Sequence, residues 1–112
     1  MKKREMLKKN YEFKYVLTKG KYYAGEYIEV FFIKNNLNEN RIGIAISTKI
    51  AKATKRNYLK RLIRESYRIN EKDLGVGNTI VFLIKKKVNI EDISYNKIDI
   101  DMKKIVKKIG QI

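Results

Sequence analysis

Hydrophobic positions recur along this chain with more than one period, and each period predicts an element. Residues 52 to 68 carry the clearest helical signal. Wound at about 100° per residue, Leu59, Leu62, Ile63 and Ser66 gather on one side with Tyr67 at the edge. Asn57, Lys60, Arg61, Arg64 and Arg68 gather on the opposite side. Phe13, Val16 and Leu17 share a helical face between Asn10, a possible cap, and Gly20, a natural stop. Ile98, Met102, Ile105 and Ile109 mark a closing helix. Elsewhere the period is two. Residues 27 to 34 place Tyr27, Glu29, Phe31 and Ile33 on one face and Ile28, Val30 and Phe32 on the other. Residues 41 to 48 read as the next, antiparallel strand, with Ile42, Ile44 and Ile46 on one face. Arg41, Gly43, Ala45 and Ser47 form the other face, small enough either for a flexible strand to lie on it or for close packing. Residues 79 to 84 are apolar on both faces, as a buried central strand requires. Polar residues 35 to 40 and the pair Gly75 and Gly77 supply turns. The order helix, strands, helix, strand, helix predicts an α+β fold, a two-layer α/β sandwich.

Composition narrows the function. A chain of 112 residues with 44% hydrophobic content predicts one folded domain, residues 1 to 112. Its 27 Lys and Arg against 12 Asp and Glu give a net charge of +15. Self-repulsion on that scale points to a polyanionic partner: nucleic acid, an acidic membrane surface or an acidic protein. No apolar run approaches the roughly 20 residues that span a bilayer. The basic residues 1 to 4 lead into Glu5 and more lysine, with no apolar core of a secretory signal. Cysteine and histidine are both absent. Disulfides, thiolate metal sites, the usual zinc ligand and the usual neutral-pH base go with them. Asp99 and Asp101 stand at alternate positions and Glu91 and Asp92 are adjacent. Neither pair resembles the carboxylate set of a two-metal nuclease. Aromatics do accompany the cations: Tyr11, Phe13, Tyr15, Tyr22, Tyr23, Tyr27 and Phe31. Rings for bases and ammonium or guanidinium groups for phosphates suit single-stranded RNA. Lys85, Lys86 and Lys87 are either a solvated strand exit or further phosphate contacts.

The run Lys55-Arg56-Asn57-x-x-Lys60-Arg61-x-x-Arg64-Glu65 resembles the RNR-type signature of the bacterial ribonuclease P protein subunit. Residues 7 to 20 and 41 to 49 resemble the same family, in the same order. Tyr58 replaces the second arginine of the family's triplet, and Asn78 replaces the acid that opens its last strand. The resemblance implies a ribosomal-protein-like fold with a left-handed strand-helix-strand crossover, against the general right-handed rule. It also implies an accessory subunit of an endoribonuclease whose RNA subunit is the catalyst, removing the 5′ leader of precursor tRNA with bound magnesium. On that basis the protein has no catalytic residue and no certain metal site of its own. Lys52, Lys55, Arg56, Asn57, Lys60, Arg61, Arg64 and Arg68 would meet the catalytic RNA. Phe13, Leu17, Phe31, Ser47 and Lys49 would meet the leader, Leu17 and Phe31 standing where the family often has aromatics. The implied partners are the catalytic RNA and precursor tRNA, without membrane or DNA, in the cytoplasm. A ribosomal or general RNA-binding protein without a processing role explains the charge and fold but not the ordered signature. An amphipathic protein of anionic membranes is opposed by the mixed core strands.

Overall fold

The structure is a computed structural model and describes residues 6 to 111. In chain order its elements are α1 (Asn10–Lys19), β1 (Lys21–Ala24), β2 (Ile28–Lys34), β3 (Arg41–Ala45), α2 (Ala53–Asn70), β4 (Asn78–Ile84) and α3 (Tyr95–Gly110). Short 3-10 turns follow α2 and precede α3. The strands form one sheet in the order β1-β2-β4-β3. β4 is central, as its two apolar faces demanded, and its neighbour β2 pairs with it antiparallel from Ile28 opposite Ile84 to Lys34 opposite Asn78.

Two expectations need correction. Residues 41 to 48 are not the antiparallel neighbour of β2; β3 pairs parallel with β4, Arg41 opposite Thr79 and Ala45 opposite Leu83. The strand also stops at Ala45. Alternation reports which side chains share a face, not which strand lies alongside. The partner is chosen by α2: its apolar stripe needs a broad apolar floor, and a parallel β3–β4 pair puts Ile42, Ile44, Ile80 and Phe82 under one crossover helix. The N-terminal arm is pinned to β3 before α1 begins. Met6 forms a parallel bridge to Ile42, and Leu7 is buried with its N–H donating to the Ile42 carbonyl at 2.7 Å. The basic residues 1 to 4 lie outside the described residues. α1 starts at Asn10 itself, with Lys9 in the cap position and Glu12 accepting the Lys9 backbone N–H at 3.3 Å.

The helices divide between the sheet's faces. Leu59, Leu62, Ile63 and Tyr67 of α2 and Ile98, Met102, Ile105 and Ile109 of α3 cover one face. This is the expected sandwich. The other face is covered only in part, by α1 and the arm, where Val16 and Leu7 bury Val81. Phe13, Phe31, Ile33 and Leu83 remain half-buried around that contact. The uncovered remainder of this face is available to a partner.

Two carboxylates of α3 tie the layers together. Asp101 is buried and accepts the backbone N–H groups of Glu26, Tyr27 and Ile28 at 2.9, 2.7 and 3.1 Å. Gly25 leaves it room, since a Cβ there would sit 2.5 Å from the carboxyl carbon. Asp99 reaches α2 instead, accepting from Ser66 Oγ at 2.8 Å and Asn70 Nδ2 at 2.9 Å, and it also pairs with Lys103. Burial pushes the Asp99 pKa up, but the hydrogen bonds from Lys103, Ser66 and Asn70 outweigh it and hold the carboxyl below its ordinary 3.8. A depressed folded-state pKa stabilises above the unfolded value and is lost as pH falls through the folded one. Asp99→Asn is therefore expected to lower stability at neutral pH. The gap from wild type in denaturant melts should narrow as pH falls below about 4. A gap that stays constant across that range would show that the charge of Asp99 contributes nothing.

Candidate nucleic-acid interface

α2 presents its cations as the helical period requires: Leu59, Leu62, Ile63, Ser66, Tyr67 and Asn70 are all buried, and Asn57, Arg61, Arg64 and Arg68 are all exposed. Lys60 lies half-buried at the stripe's margin. Hydrogen bonding sorts the row further. Arg56 Nη1 donates to the Ala51 carbonyl at 2.8 Å, bracing the turn into the helix. Lys55 places its ammonium 5.2 Å from the Tyr58 ring centroid and 3.9 Å from Glu91. Arg68 pairs with Glu65, and that hydrogen bond holds the Glu65 carboxyl below its ordinary pKa. The side chains of Asn57, Lys60, Arg61 and Arg64 make no hydrogen bond or ion pair among the described residues. The guanidinium forks of Arg61 and Arg64, the Lys60 ammonium and the Asn57 amide are free for phosphate oxygens or base edges. Tyr58, at the position where the family has arginine, leans toward Lys55 and away from this row.

The second surface is on the other face of the sheet. Phe13 and Leu17 sit one turn apart on α1. Phe13 is half-buried over β3: a Cβ at Gly43 would lie 2.5 Å from its ring. At Gly43, then, the small face of β3 serves close packing. Further along the strand, Ala45 and its β4 neighbour Leu83 stay partly open. Phe31 and Tyr22 face each other across the β1–β2 pair, ring centroids 5.0 Å apart. The Tyr22 hydroxyl donates to Glu29 at 2.7 Å, which holds its pKa above the ordinary 10.0. Phe13, Leu17, Phe31 and Tyr22 thus flank a shallow cleft floored by Leu83 and Ala45. Tyr22, Ala45 and Leu83 are additions to the expected set. The period-two pattern placed Ala45 on this face, but only the strand order sets Leu83 beside it.

Ser47 and Lys49 stand at the cleft's end, in the loop from β3 to α2, both exposed, with Ser47 Oγ accepting the Lys49 N–H at 3.1 Å. A hollow of about 560 Å³ joins them to Lys86 and Asn89, from the loop after β4. The lysine run after β4 is thereby partly assigned, since Lys86 shares a basic pocket with Lys49. Lys52, at the N-cap of α2, closes the same loop. The loop is where the two surfaces approach each other; otherwise the sheet separates them.

A basic stripe on one face and an aromatic cleft with a basic end on the other define a small α+β RNA-binding protein. The family model for Ribonuclease P matches residues 1–110. The ribonuclease P protein component of Clostridium botulinum (strain Loch Maree / Type A3) is 38% identical over 109 residues, spanning 96% of each chain. The RNase P protein from Thermotoga maritima superposes with a TM-score of 0.81 at 32% identity, covering 97% of this chain and 98% of that one. The Staphylococcus aureus RNase P protein gives 0.80 at 26% identity, with 96% of both chains covered. This chain belongs to the bacterial ribonuclease P protein component family, and the expected role as a tRNA 5′-processing subunit stands with it.

Proposed function

We propose that the chain is the accessory, non-catalytic subunit of a cytoplasmic ribonuclease P. It binds the catalytic RNA through the outward face of α2 and guides the 5′ leader of precursor tRNA along the cleft beneath α1. The division of the α2 cations carries the reading. Lys55, Arg56 and Arg68 are occupied inside the protein. Asn57, Lys60, Arg61 and Arg64 are left as a coherent set. Guanidinium forks suit the phosphates of folded RNA, and the single asparagine can read an edge. In the cleft, Phe13, Tyr22 and Phe31 offer ring faces to unpaired bases, while Ser47, Lys49 and Lys86 meet the backbone.

The protein's part in the chemistry is to bind and position. No group of three acidic side chains comes together among the described residues, and Glu65 and Glu91 each pair with a cation. We place the magnesium on the RNA subunit and derive no step through it on the protein. What the protein supplies is positive charge that lets two polyanions approach. Reconstitution tests this directly. Protein freed of RNA should leave precursor tRNA intact, and adding it to a ribonuclease P RNA should restore cleavage at magnesium too low for the RNA alone. Cleavage by the RNA-free protein, or no gain on adding it to the RNA, would overturn the assignment.

A further inference from the structure

Helix α1 crosses its sheet face with Val16 buried beneath it, which leaves the helix two flanks. Phe13 and Leu17 occupy the flank over the leader cleft. The other flank carries Tyr11, Tyr15 and Lys19, and beside it runs a second groove of about 670 Å³. Tyr11, Tyr15, Ile33, Lys34, Asn36 and Arg41 are among its lining residues. A smaller hollow of about 250 Å³ shares Ile33 and Lys34 with it and adds Lys19 and Lys21. The groove therefore extends to the C-terminal end of α1 at Lys19.

The tyrosines are hard to explain as packing. Tyr11 is 67% exposed and Tyr15 57%, and neither hydroxyl has a hydrogen-bond partner among the described residues. They stand one turn apart, a rise of about 6 Å along the helix. Lys9 Nζ stands 5.8 Å from the Tyr11 ring centroid, and the remaining ring surface of both tyrosines is open for bases to stack on. The polar groups follow the same division of labour. Arg41 lies at the groove with its Nε shut from water and unbonded; Glu12 and Glu39 approach it only to 3.6 and 3.8 Å. Those two acids balance Arg41, leaving Asn36 exposed there for a base edge, whereas Lys19 and Lys21 give the far end positive charge for phosphates; Lys34 adds to that charge, with its Nζ also donating to Asn78 Oδ1 at 3.0 Å.

We propose that this second flank binds the distal part of the 5′ leader, which leaves the cleft, turns round the C-terminal end of α1 and stacks on Tyr15 and Tyr11. The proposal rests on the leader reading of the cleft. The leader is favoured over the catalytic RNA because the groove lies on the same face of the sheet as the cleft, on the opposite flank of the same helix, whereas the α2 stripe lies across the sheet from both. Binding of the reconstituted holoenzyme to two precursor tRNAs tests it, one with a leader ending inside the cleft and one with a longer leader. Tyr11→Ala with Tyr15→Ala should weaken the long-leader substrate by about five-fold or more and leave the short one unchanged. Tyr11→Phe with Tyr15→Phe keeps the rings and should retain long-leader binding. Phe13→Ala should weaken both substrates. If Phe13→Ala acts and the double alanine variant does not, the second groove is refuted and the cleft stands. If Phe13→Ala is silent, the cleft reading fails and the proposal with it. A double alanine variant that weakens both substrates equally, or weakens assembly without substrate, would place catalytic RNA in the groove and also overturn it. Melting curves accompany each variant; a long-leader loss confined to a variant with an unchanged melting temperature is the supporting result.

Discussion

Alanine at both Arg61 and Arg64 is expected to weaken assembly with the catalytic RNA by about 100-fold. A hydrogen bond to a charged group contributes about 1.5 to 3 kcal/mol, so losing two such contacts removes about 3 kcal/mol or more, two powers of ten in affinity. The salt dependence should change in step. Each phosphate neutralised contributes about −0.9 to the log-log slope on duplex and about −0.7 on single strands, so the variant's slope should be shallower by about 1.4 to 1.8. Both side chains point away from the core, with no partner inside the described residues, and stability should stay within about 0.5 kcal/mol. Arg68→Ala is the contrasting control, since Glu65 already engages that guanidinium. Titrations of labelled catalytic RNA over a range of salt decide the matter. Unchanged affinity and slope in the double variant would mean the RNA lies elsewhere.

The largest effect on stability is expected at Asp101. Asp101→Ala removes the acceptor of three backbone N–H groups at a part-buried turn, those of Glu26, Tyr27 and Ile28. An unsatisfied buried donor costs about 1 to 3 kcal/mol, so the loss should reach about 3 kcal/mol or more. Against the roughly 5 to 15 kcal/mol of a typical domain, that is a large share. Near about 4 °C per kcal/mol for a chain of this size, the melting temperature should fall by about 12 °C or more. Asp101→Asn keeps one carbonyl oxygen as acceptor and should lose less. The functional consequence has a direction. The turn joins β1 to β2, which carry Tyr22 and Phe31, so leader binding should weaken at temperatures where the α2 stripe still holds RNA. A variant that melts like wild type would show that water replaces the carboxylate.

Some of this architecture was legible because helical and strand periods are local. The division of α2 into Leu59, Leu62 and Ile63 against Asn57, Arg61 and Arg64 depends only on residue spacing, and the structure reproduces it residue for residue. The same holds for Ile98, Met102, Ile105 and Ile109 in α3. β4 was recognisable as central because both its faces are apolar. The partner of β3 was not legible, since parallel and antiparallel neighbours demand the same alternation within a strand. Nor was the distinction within the α2 cations: Arg56 and Arg61 look alike in sequence, and only the Ala51 carbonyl beside one of them separates the braced side chain from the free one. Asp101 read as one member of a sparse acidic pair, because its three donors lie some 75 positions earlier in the chain.

By itself, then, the sequence determined the elements, the orientation of each amphipathic face, the excess of positive charge and, through the ordered signature, the family. These follow from spacing and composition, which folding does not alter. Tertiary structure alone decided which face of the sheet stays uncovered, which cations remain free, and how Lys86 joins Lys49 and Leu83 joins Ala45. Those properties arise from pairs of residues far apart in the chain. Strand order and helix placement bring them together, and no local pattern encodes which distant partner a side chain will meet.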